Sequence, residues 1–569
     1  MSRNLKPLVV TAALLASAAA LYGALGRGGP AAAQPAAAAD DPCAKLAGLK
    51  LGQVVIDGAR TQPANAPVEG ARLTDMAGTP GKGPPVAGLP AFCRVVGHIH
   101  PEPGSDIRFE VWMPSEGWDG RFNGGNNGGF AGSIDYIGLG AAVKAGQASA
   151  STDTGHAGTG TESAWAKGHP ERVRDYGWRG VHLTTVVGKK LVASYYGRRP
   201  DHSYFIGCSN GGRQALMEAS RFPDDYDGIV AGAPAAVATD LIVAMTNTVQ
   251  AQLPPGAALR PEQMRLLSSE VVKQCDALDG QVDGLIDDPR RCQLDVSKLA
   301  CGVNSSPQCF TKPQLAALRK IHAGPHDSAG RRVAFGYLPT GAEAGNPAPG
   351  LGWESWLAEG QKTPTMHDSF TAGMLADLVA KPFATPATFN FDKDPSRLKA
   401  ALGADLDATP NMSRFFAHGG KLIVWQGWAD AAIPLQATLA FRDRILASSG
   451  PKARTQMRVF VLPGVQHCAG GTGADVIGQI GAPQPKDTPE RSVGAAVQAW
   501  VETGRAPETL VGRRGMGGLM GMPESKPEKQ RLICAYPAKA VLKPGADPDA
   551  AVSYSCHMAS TAPSGKKAG

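Results

Sequence analysis

A chain of 569 residues, 43% hydrophobic and 19% charged, carries enough apolar side chain to build a substantial core, which excludes a wholly disordered protein. The formal net charge of +7 includes Arg3, Lys6 and Arg27 of the N-terminal segment, and no long basic block follows, which argues against a nucleic-acid binder. The 71 glycines and 45 prolines are scattered without a three-residue period, so collagen-like and low-complexity chains are excluded as well.

Residues 1–33 read as a signal peptide. Arg3 and Lys6 form a basic start, Leu8 to Leu25 is an apolar run, and Ala31-Ala32-Ala33 offers a small-residue cleavage site. The alternative is an uncleaved anchor, because about 18 apolar residues is the lower limit for spanning a bilayer. Residues 34–42 read as an Ala/Pro-rich tether. The expectation is a secreted or periplasmic protein with no membrane partner after signal cleavage. The ten cysteines agree with export: Cys43, Cys93, Cys208, Cys275, Cys292, Cys301, Cys309, Cys468, Cys534 and Cys556. An even count in an oxidising compartment suggests five disulfides. None of them forms a C-x-x-C pair, which argues against a zinc ribbon or a thioredoxin-type site.

Strands and helices alternate in the first third. Ile107 to Met113 reads as a strand, and Trp178 to Tyr196 as a helix, with Leu183, Val187, Leu191 and Tyr195 at four-residue spacing on one face. Ser203 to Ile206 is then a short strand leading into Gly207-Cys208-Ser209-Asn210-Gly211, and a helical run extends from Gly212 to about Arg221. Strand, Gly-flanked turn and helix in that order are what the G-x-S-x-G nucleophile elbow requires, because the turn is too tight for side chains beside the serine.

A serine hydroxyl needs a base, and the base needs an orienting acid. Lys421 to Trp425 reads as a strand whose following loop carries Asp430, and Arg458 to Leu462 as the next, whose loop carries His467. Both lie just beyond a strand's C-terminal end, where open α/β sheets keep their sites. Cys208 precedes the serine and Cys468 follows the histidine. If Ser209 and His467 come within hydrogen-bonding reach, these two cysteines are close enough to bridge.

GCSNGG, the GWADAAIP segment and GVQHCAGG together resemble the tannase and feruloyl esterase family, over a span from about Cys43 to Cys556. The resemblance implies an α/β fold of the α/β-hydrolase type with a large inserted lid domain. It also implies a triad of Ser209, Asp430 and His467, joined by the Cys208–Cys468 disulfide, acting on esters of aromatic acids. The acid is left open among ferulic, gallic and phthalate-like diacids.

Hydrolase elbows take one oxyanion donor from the residue after the nucleophile, here Asn210, and another from an earlier Gly-rich loop. Phe122 to Phe130 (FNGGNNGGF) is that loop, and the resemblance favours Gly129. Asn126 and Asn127 interrupt its glycines.

About 220 residues separate Ser209 from Asp430, roughly twice what a minimal core needs. The division is then a core over 43–234, a lid over 235–415, a second core part over 416–556 and a disordered tail over 557–569. Sequence distance and the resemblance favour Cys275–Cys292 and Cys301–Cys309 pairs in the lid. Trp353, Trp356, Phe370, Phe383 and Phe389 are either an aromatic wall for substrate or the lid's own core. Residues 276–288 hold five aspartates, and like-charged carboxylates around glycine turns suit calcium, although the spacing is not that of an EF-hand. The resemblance makes Asp276, Asp279 and Asp283 side-chain ligands, helped by the carbonyls of Gln281 and Leu285, with a structural role. The leading expectation is a serine ester hydrolase of small aromatic esters that needs no redox or organic cofactor. The alternatives are an acyltransferase or peptidase on the same triad, or a non-catalytic binding protein on this scaffold.

Overall fold

The strands that carry the site are near-continuous apolar runs, as strands covered on both faces should be. In the computed structural model, which describes residues 41–73, 81–302, 308–345, 352–358, 364–479, 481–515 and 529–558, nine strands form one sheet. They are β1 (Val54–Gln62), β2 (Phe92–Ile99), β3 (Ile107–Pro114), β4 (Arg121–Gly124), β5 (Ala148–Thr152), β6 (His202–Cys208), β7 (Gly228–Gly232), β8 (Lys421–Gly427) and β9 (Met457–Leu462). Their order is β1-β2-β3-β5-β4-β6-β7-β8-β9. The pairs from β1 to β5 are antiparallel and those from β5 to β9 parallel. The signal segment 1–33, the tether up to residue 40 and the tail beyond residue 558 lie outside the described residues. No helix among the described residues is long and apolar enough to cross a membrane.

Period-two alternation sends each parallel strand's side chains into two cores. Phe205, Ile229, Ala231, Leu422 and Val424 enter one, and Tyr204, Ile206, Val230, Ile423 and Trp425 the other. Helix α1 (Gly180–Tyr196) precedes β6 and α2 (Asn210–Arg221) follows it. The elbow helix therefore begins two residues earlier than the sequence pattern suggests, at the residue after the serine. Between β7 and β8 come α3 (Ala238–Gln252), α4 (Met264–Cys275), α5 (Lys312–Ala323), α6 (Met366–Gly373) and α7 (Asp394–Leu406), with no sheet strand among the described residues there. Helix α8 (Leu435–Ser448) connects β8 to β9, and α9 (Val493–Thr503) follows β9. Two small hairpins end the described residues, β10 (Thr509–Arg513) with β11 (Gln530–Cys534) and β12 (Ala538–Leu542) with β13 (Tyr554–Met558); His557 and Met558, expected in the disordered tail, are strand residues paired with Lys539 and Ala538.

The helical insertion is fused to the sheet domain. Its α3 and α7 share a core with Phe130, on the loop after β4, and Tyr176, on the helical turn Asp175–Arg179 that runs into α1. It also grips the loop after β8: Tyr337 Oη donates to the Ala432 carbonyl at 2.9 Å, and His367 Nε2 lies 3.0 Å from the Ala431 carbonyl. His367 is fully buried, and burial pushes its pKa down to about 3, so the ring is neutral and donates one N–H to that carbonyl.

All ten cysteines are paired. The bridges are Cys43–Cys93, Cys208–Cys468, Cys275–Cys292, Cys301–Cys309 and Cys534–Cys556.

Candidate active site

The turn after β6 is strained in the way a sharp strand-to-helix reversal demands. Ser209 sits at φ 64° and ψ −122°, a conformation costly for a residue with a Cβ. Its neighbours must be glycine: a Cβ on Gly207 would come within 2.6 Å of the Gly211 backbone, and one on Gly211 would run into the Asn126 side chain. The Ser209 N–H donates to the Gly232 carbonyl at 3.0 Å, and the Cys208 N–H to Asn126 Oδ1 at 3.1 Å. The two asparagines that interrupt the Gly-rich loop are thus scaffolding. Asn126 holds the elbow, and Asn127 Nδ2 donates to the Thr152 and Ser133 carbonyls.

His467 Nε2 lies 2.8 Å from Ser209 Oγ, and His467 Nδ1 lies 3.0 Å from both carboxylate oxygens of Asp430. The three residues singled out on separate loops therefore form one hydrogen-bonded chain. Asp430 is buried, so its remaining lone pairs need donors. The Ala432 and Ile433 N–H groups reach Oδ1 at 2.9 and 2.8 Å, and Gln426 Nε2 reaches Oδ2 at 3.0 Å. Gln426, itself fully buried, is fixed in turn by the Ile433 carbonyl and by Thr438 Oγ1. The Cys208–Cys468 bridge ties the elbow to the histidine loop with the two Cα atoms 6.0 Å apart.

Ser209, Asn210 and Gly129 line one pocket. Asn210 is the first residue of α2, so its N–H has no acceptor within the helix. Gly129 has φ +54°, and a Cβ there would collide with the Gly160 carbonyl oxygen. Two side chains that the sequence reading missed brace these positions. Tyr176 Oη donates to the Gly129 carbonyl at 3.1 Å, and Arg213 Nε to Asn210 Oδ1 at 2.8 Å. Arg213 is buried with no carboxylate partner among the described residues; its other donors go to the Gly177, Tyr176 and Leu406 carbonyls.

The rest of the pocket is apolar and aromatic, including Phe130, Tyr176, Leu241, Met245, Trp356 and Phe370. The Trp356 ring stands edge-on to the His467 imidazole with centroids 5.0 Å apart. Of the five lid aromatics weighed from sequence, Trp356 and Phe370 line the pocket. Trp353 and Phe389 are core residues, and Phe383 packs against the same core as Phe389, with the Arg397 guanidinium on its face.

In the acidic loop, Asp276 accepts from the Gly284 N–H, Asp279 from the Gln281 and Asp287 N–H groups, and Asp283 from the Leu285 N–H. The Arg531 guanidinium on β11 bonds Asp283 Oδ2 at 3.0 Å and Asp287 Oδ1 at 2.7 Å. Burial raises the Asp279 carboxyl above its usual range and pushes Asp287 up to about 6, against the pull of Arg531. Gln281 Oε1 is buried with no hydrogen-bond partner among the described residues. Arg290 pairs with Asp288 at 2.7 Å, which leaves the carboxylates of Asp276, Asp279, Asp283 and Asp287 in excess over the Arg531 guanidinium; with an orphaned amide oxygen beside them they fit a hard divalent cation.

A mixed sheet whose parallel half carries a serine at a sharp strand–helix turn, with an aspartate and a histidine on the loops after β8 and β9, defines an α/β-hydrolase-fold protein. The family model described as tannase and feruloyl esterase matches residues 93–557. The chain belongs to that family and is a carboxylic ester hydrolase. It is 34% identical to an uncharacterised esterase of Xanthomonas campestris, with 89% of each chain covered. It is 30% identical to the mono(2-hydroxyethyl) terephthalate hydrolase of Piscinibacter sakaiensis over 83% of this chain and 85% of that one. The crystal structure of feruloyl esterase B from Aspergillus oryzae superposes with a TM-score of 0.78 at 26% identity, covering 91% of this chain and 99% of that one.

Proposed function

We propose that the protein is an exported serine esterase that releases aromatic acids from their esters through an acyl-enzyme on Ser209. The observation that carries this reading is the Ser209–His467–Asp430 chain, whose Ser209 lines a pocket walled by Phe130, Tyr176, Trp356 and Phe370. His467 Nε2 takes the Ser209 proton as Oγ attacks the ester carbonyl, and Asp430 stabilises the imidazolium that forms. The N–H groups of Asn210 and Gly129 receive the oxyanion, and His467 returns the proton to the departing alcohol. Water, deprotonated by His467, then releases the acid and regenerates Ser209.

The wall favours a neutral aromatic acyl group. Arg213 is the only charged side chain among the described lining residues, and it is engaged by Asn210 and backbone carbonyls. Turnover of methyl ferulate is therefore expected to exceed that of mono-esters of aromatic diacids. A panel of methyl ferulate, methyl gallate and such mono-esters tests the specificity. Ser209→Ala tests the nucleophile, with residual activity expected below about 1% of wild type. A variant that retains more overturns the acyl-enzyme reading.

Calcium is the cation proposed for the acidic loop, held by Asp276, Asp279 and Asp283 with the Gln281 and Leu285 carbonyls. It would neutralise surplus carboxylate in the lid and take no part in ester cleavage. Export rests on the basic and apolar N-terminal segment and on five disulfides, which suit an oxidising compartment.

A further inference from the structure

The antiparallel end of the sheet gathers a second set of metal-ligating side chains, remote in the strand order from the strand ends that carry the triad. His98 lies near the end of β2 and His100 follows two residues later, so the strand's period of two puts both imidazoles on one face. Their rings are nearly parallel, 11° apart in plane with centroids at 5.9 Å. The β2–β3 register pairs Ile99 with Ile107, which brings Asp106 opposite His100. Asp106 Oδ1 then lies 2.5 Å from His98 Nδ1 and 3.6 Å from His100 Nδ1. On the other side, the β1–β2 register slips between Ile56 and Gly58. Asp57 is the extra residue of that bulge, and a bulge re-aims a side chain; its Oδ2 lies 3.2 Å from His98 Nε2.

We infer that His98, His100 and Asp106 form a binding site for a divalent transition-metal ion, with zinc as its reference occupant. One potential ligand atom from each of the three lies within 4.8 Å of the other two. Bonds of about 2.0–2.2 Å in a tetrahedral shell set ligand atoms about 3.3–3.6 Å apart, so small side-chain rotations close the site. Two imidazoles and one carboxylate are a borderline-soft donor set that suits zinc, nickel or copper and not calcium. The fourth position is open to water.

Asp57 supplies what a chance histidine pair lacks. With the metal on His98 Nδ1, the Nε2–H points at the Asp57 carboxylate, the arrangement that fixes ring orientation and raises ligand basicity in metal centres. The two carboxylates balance the charge of the ion. Arg108 stands across from His98 in the β2–β3 register and is exposed, with its charge drawn towards Asp153. Because β1 is an edge strand, the ion would clip β1, β2 and the start of β3 together. It would stabilise the folded chain by binding it in preference to the unfolded one.

The test uses full-length protein without a histidine tag, stripped with chelator and returned to calcium-containing buffer. Zinc binding is followed by calorimetry and cobalt binding by its visible absorption. The expected result is one zinc per chain with a micromolar or tighter Kd that disappears in the His98→Gln/His100→Gln double variant, whose ester hydrolysis stays at the wild-type level. Zinc raises Tm in the wild type only, and Asp57→Asn weakens Kd by about 10-fold. Zinc held elsewhere, as at His182 with Asp225, remains in the variant and cancels in the difference. Equal zinc uptake by wild type and double variant, or a wild-type Kd weaker than about millimolar, overturns the proposal. If the double variant misfolds, His100→Gln alone must still lose the cobalt absorption.

Discussion

Replacing Cys208 and Cys468 together by alanine separates two effects of one covalent bond. The bridge closes a loop of 260 residues, and the chain-entropy model gives such a loop about 5–6 kcal/mol of stabilisation through the unfolded state. For a chain of this length, with an unfolding entropy of about 2.1 cal/mol/K per residue, that corresponds to a Tm lower by about 5 °C. Catalysis responds to local geometry instead. The elbow keeps its Ser209 N–H bond to Gly232, and the histidine loop keeps the Gln466 bonds to the Gly470 and Ala342 backbone. What is lost is the one covalent link between the residues flanking the 2.8 Å Ser209–His467 contact. A displacement of about 1 Å there costs on the order of 100-fold in kcat. Calorimetry and steady-state kinetics on methyl ferulate read the two effects independently, with non-reducing peptide mapping to confirm the wild-type bridge. Wild-type kcat in the double variant refutes the pinning argument, and an unchanged Tm refutes the loop argument.

Gln426→Ala removes one of Asp430's four hydrogen-bond partners and strands Thr438 Oγ1. We expect kcat to fall about 10-fold with KM unchanged, and stability to drop by about 2–4 kcal/mol from the unpaired buried groups. Burial pushes Asp153 up to about 7, so its ionised form is penalised in the folded chain relative to the unfolded one. The native state therefore loses stability as pH rises from about 4 to about 7. Asp153→Asn should accordingly raise Tm at pH 8 and leave it unchanged near pH 4; equal shifts at both would discard the burial argument. Chelation should lower Tm before it lowers the rate on methyl ferulate, and Asp279→Ala should reproduce that loss without chelator. Metal analysis finding no calcium, with melting indifferent to chelator, would make the acidic cluster a solvated turn.

The sheet and the chain of Ser209, His467 and Asp430 were legible because each residue follows an apolar run that could only be a buried strand. Turn chemistry did the rest: Gly207 and Gly211 announced a reversal too tight for side chains. The pocket was half legible. Trp356 and Phe370 stand out in the sequence, but so do Trp353, Phe383 and Phe389, because aromatic content marks a lid without telling its core from its lining. Phe130 reaches the pocket from the loop after β4 and Tyr176 from the helical turn before α1, a juxtaposition that only the tertiary fold creates. Gln426 carries a signal in the sequence: it is an uncharged polar residue inside the buried run KLIVWQG, and a polar side chain there needs partners. Arg213 left none, since an arginine on the amphipathic α2 reads as a solvated face until Tyr176 and Asn210 close over it. The Asp57–His98–Asp106 set was invisible for a related reason: it depends on a bulge that no propensity marks.

The grip of Tyr337 and His367 on the carbonyls of Ala431 and Ala432 bears on how the enzyme could be re-engineered. A lid that merely covered a pocket could be exchanged between relatives like an interchangeable part, with the chemistry left untouched beneath it. Here the graft boundary runs through Asp430's own loop. A chimaera that imports a foreign lid without an equivalent phenol and imidazole leaves two buried carbonyls unpaired beside Asp430. Its turnover would then suffer for reasons unrelated to substrate fit. Specificity and competence are thus inherited together, and a library that varies Trp356 and Phe370 while holding Tyr337 and His367 constant samples the first without forfeiting the second.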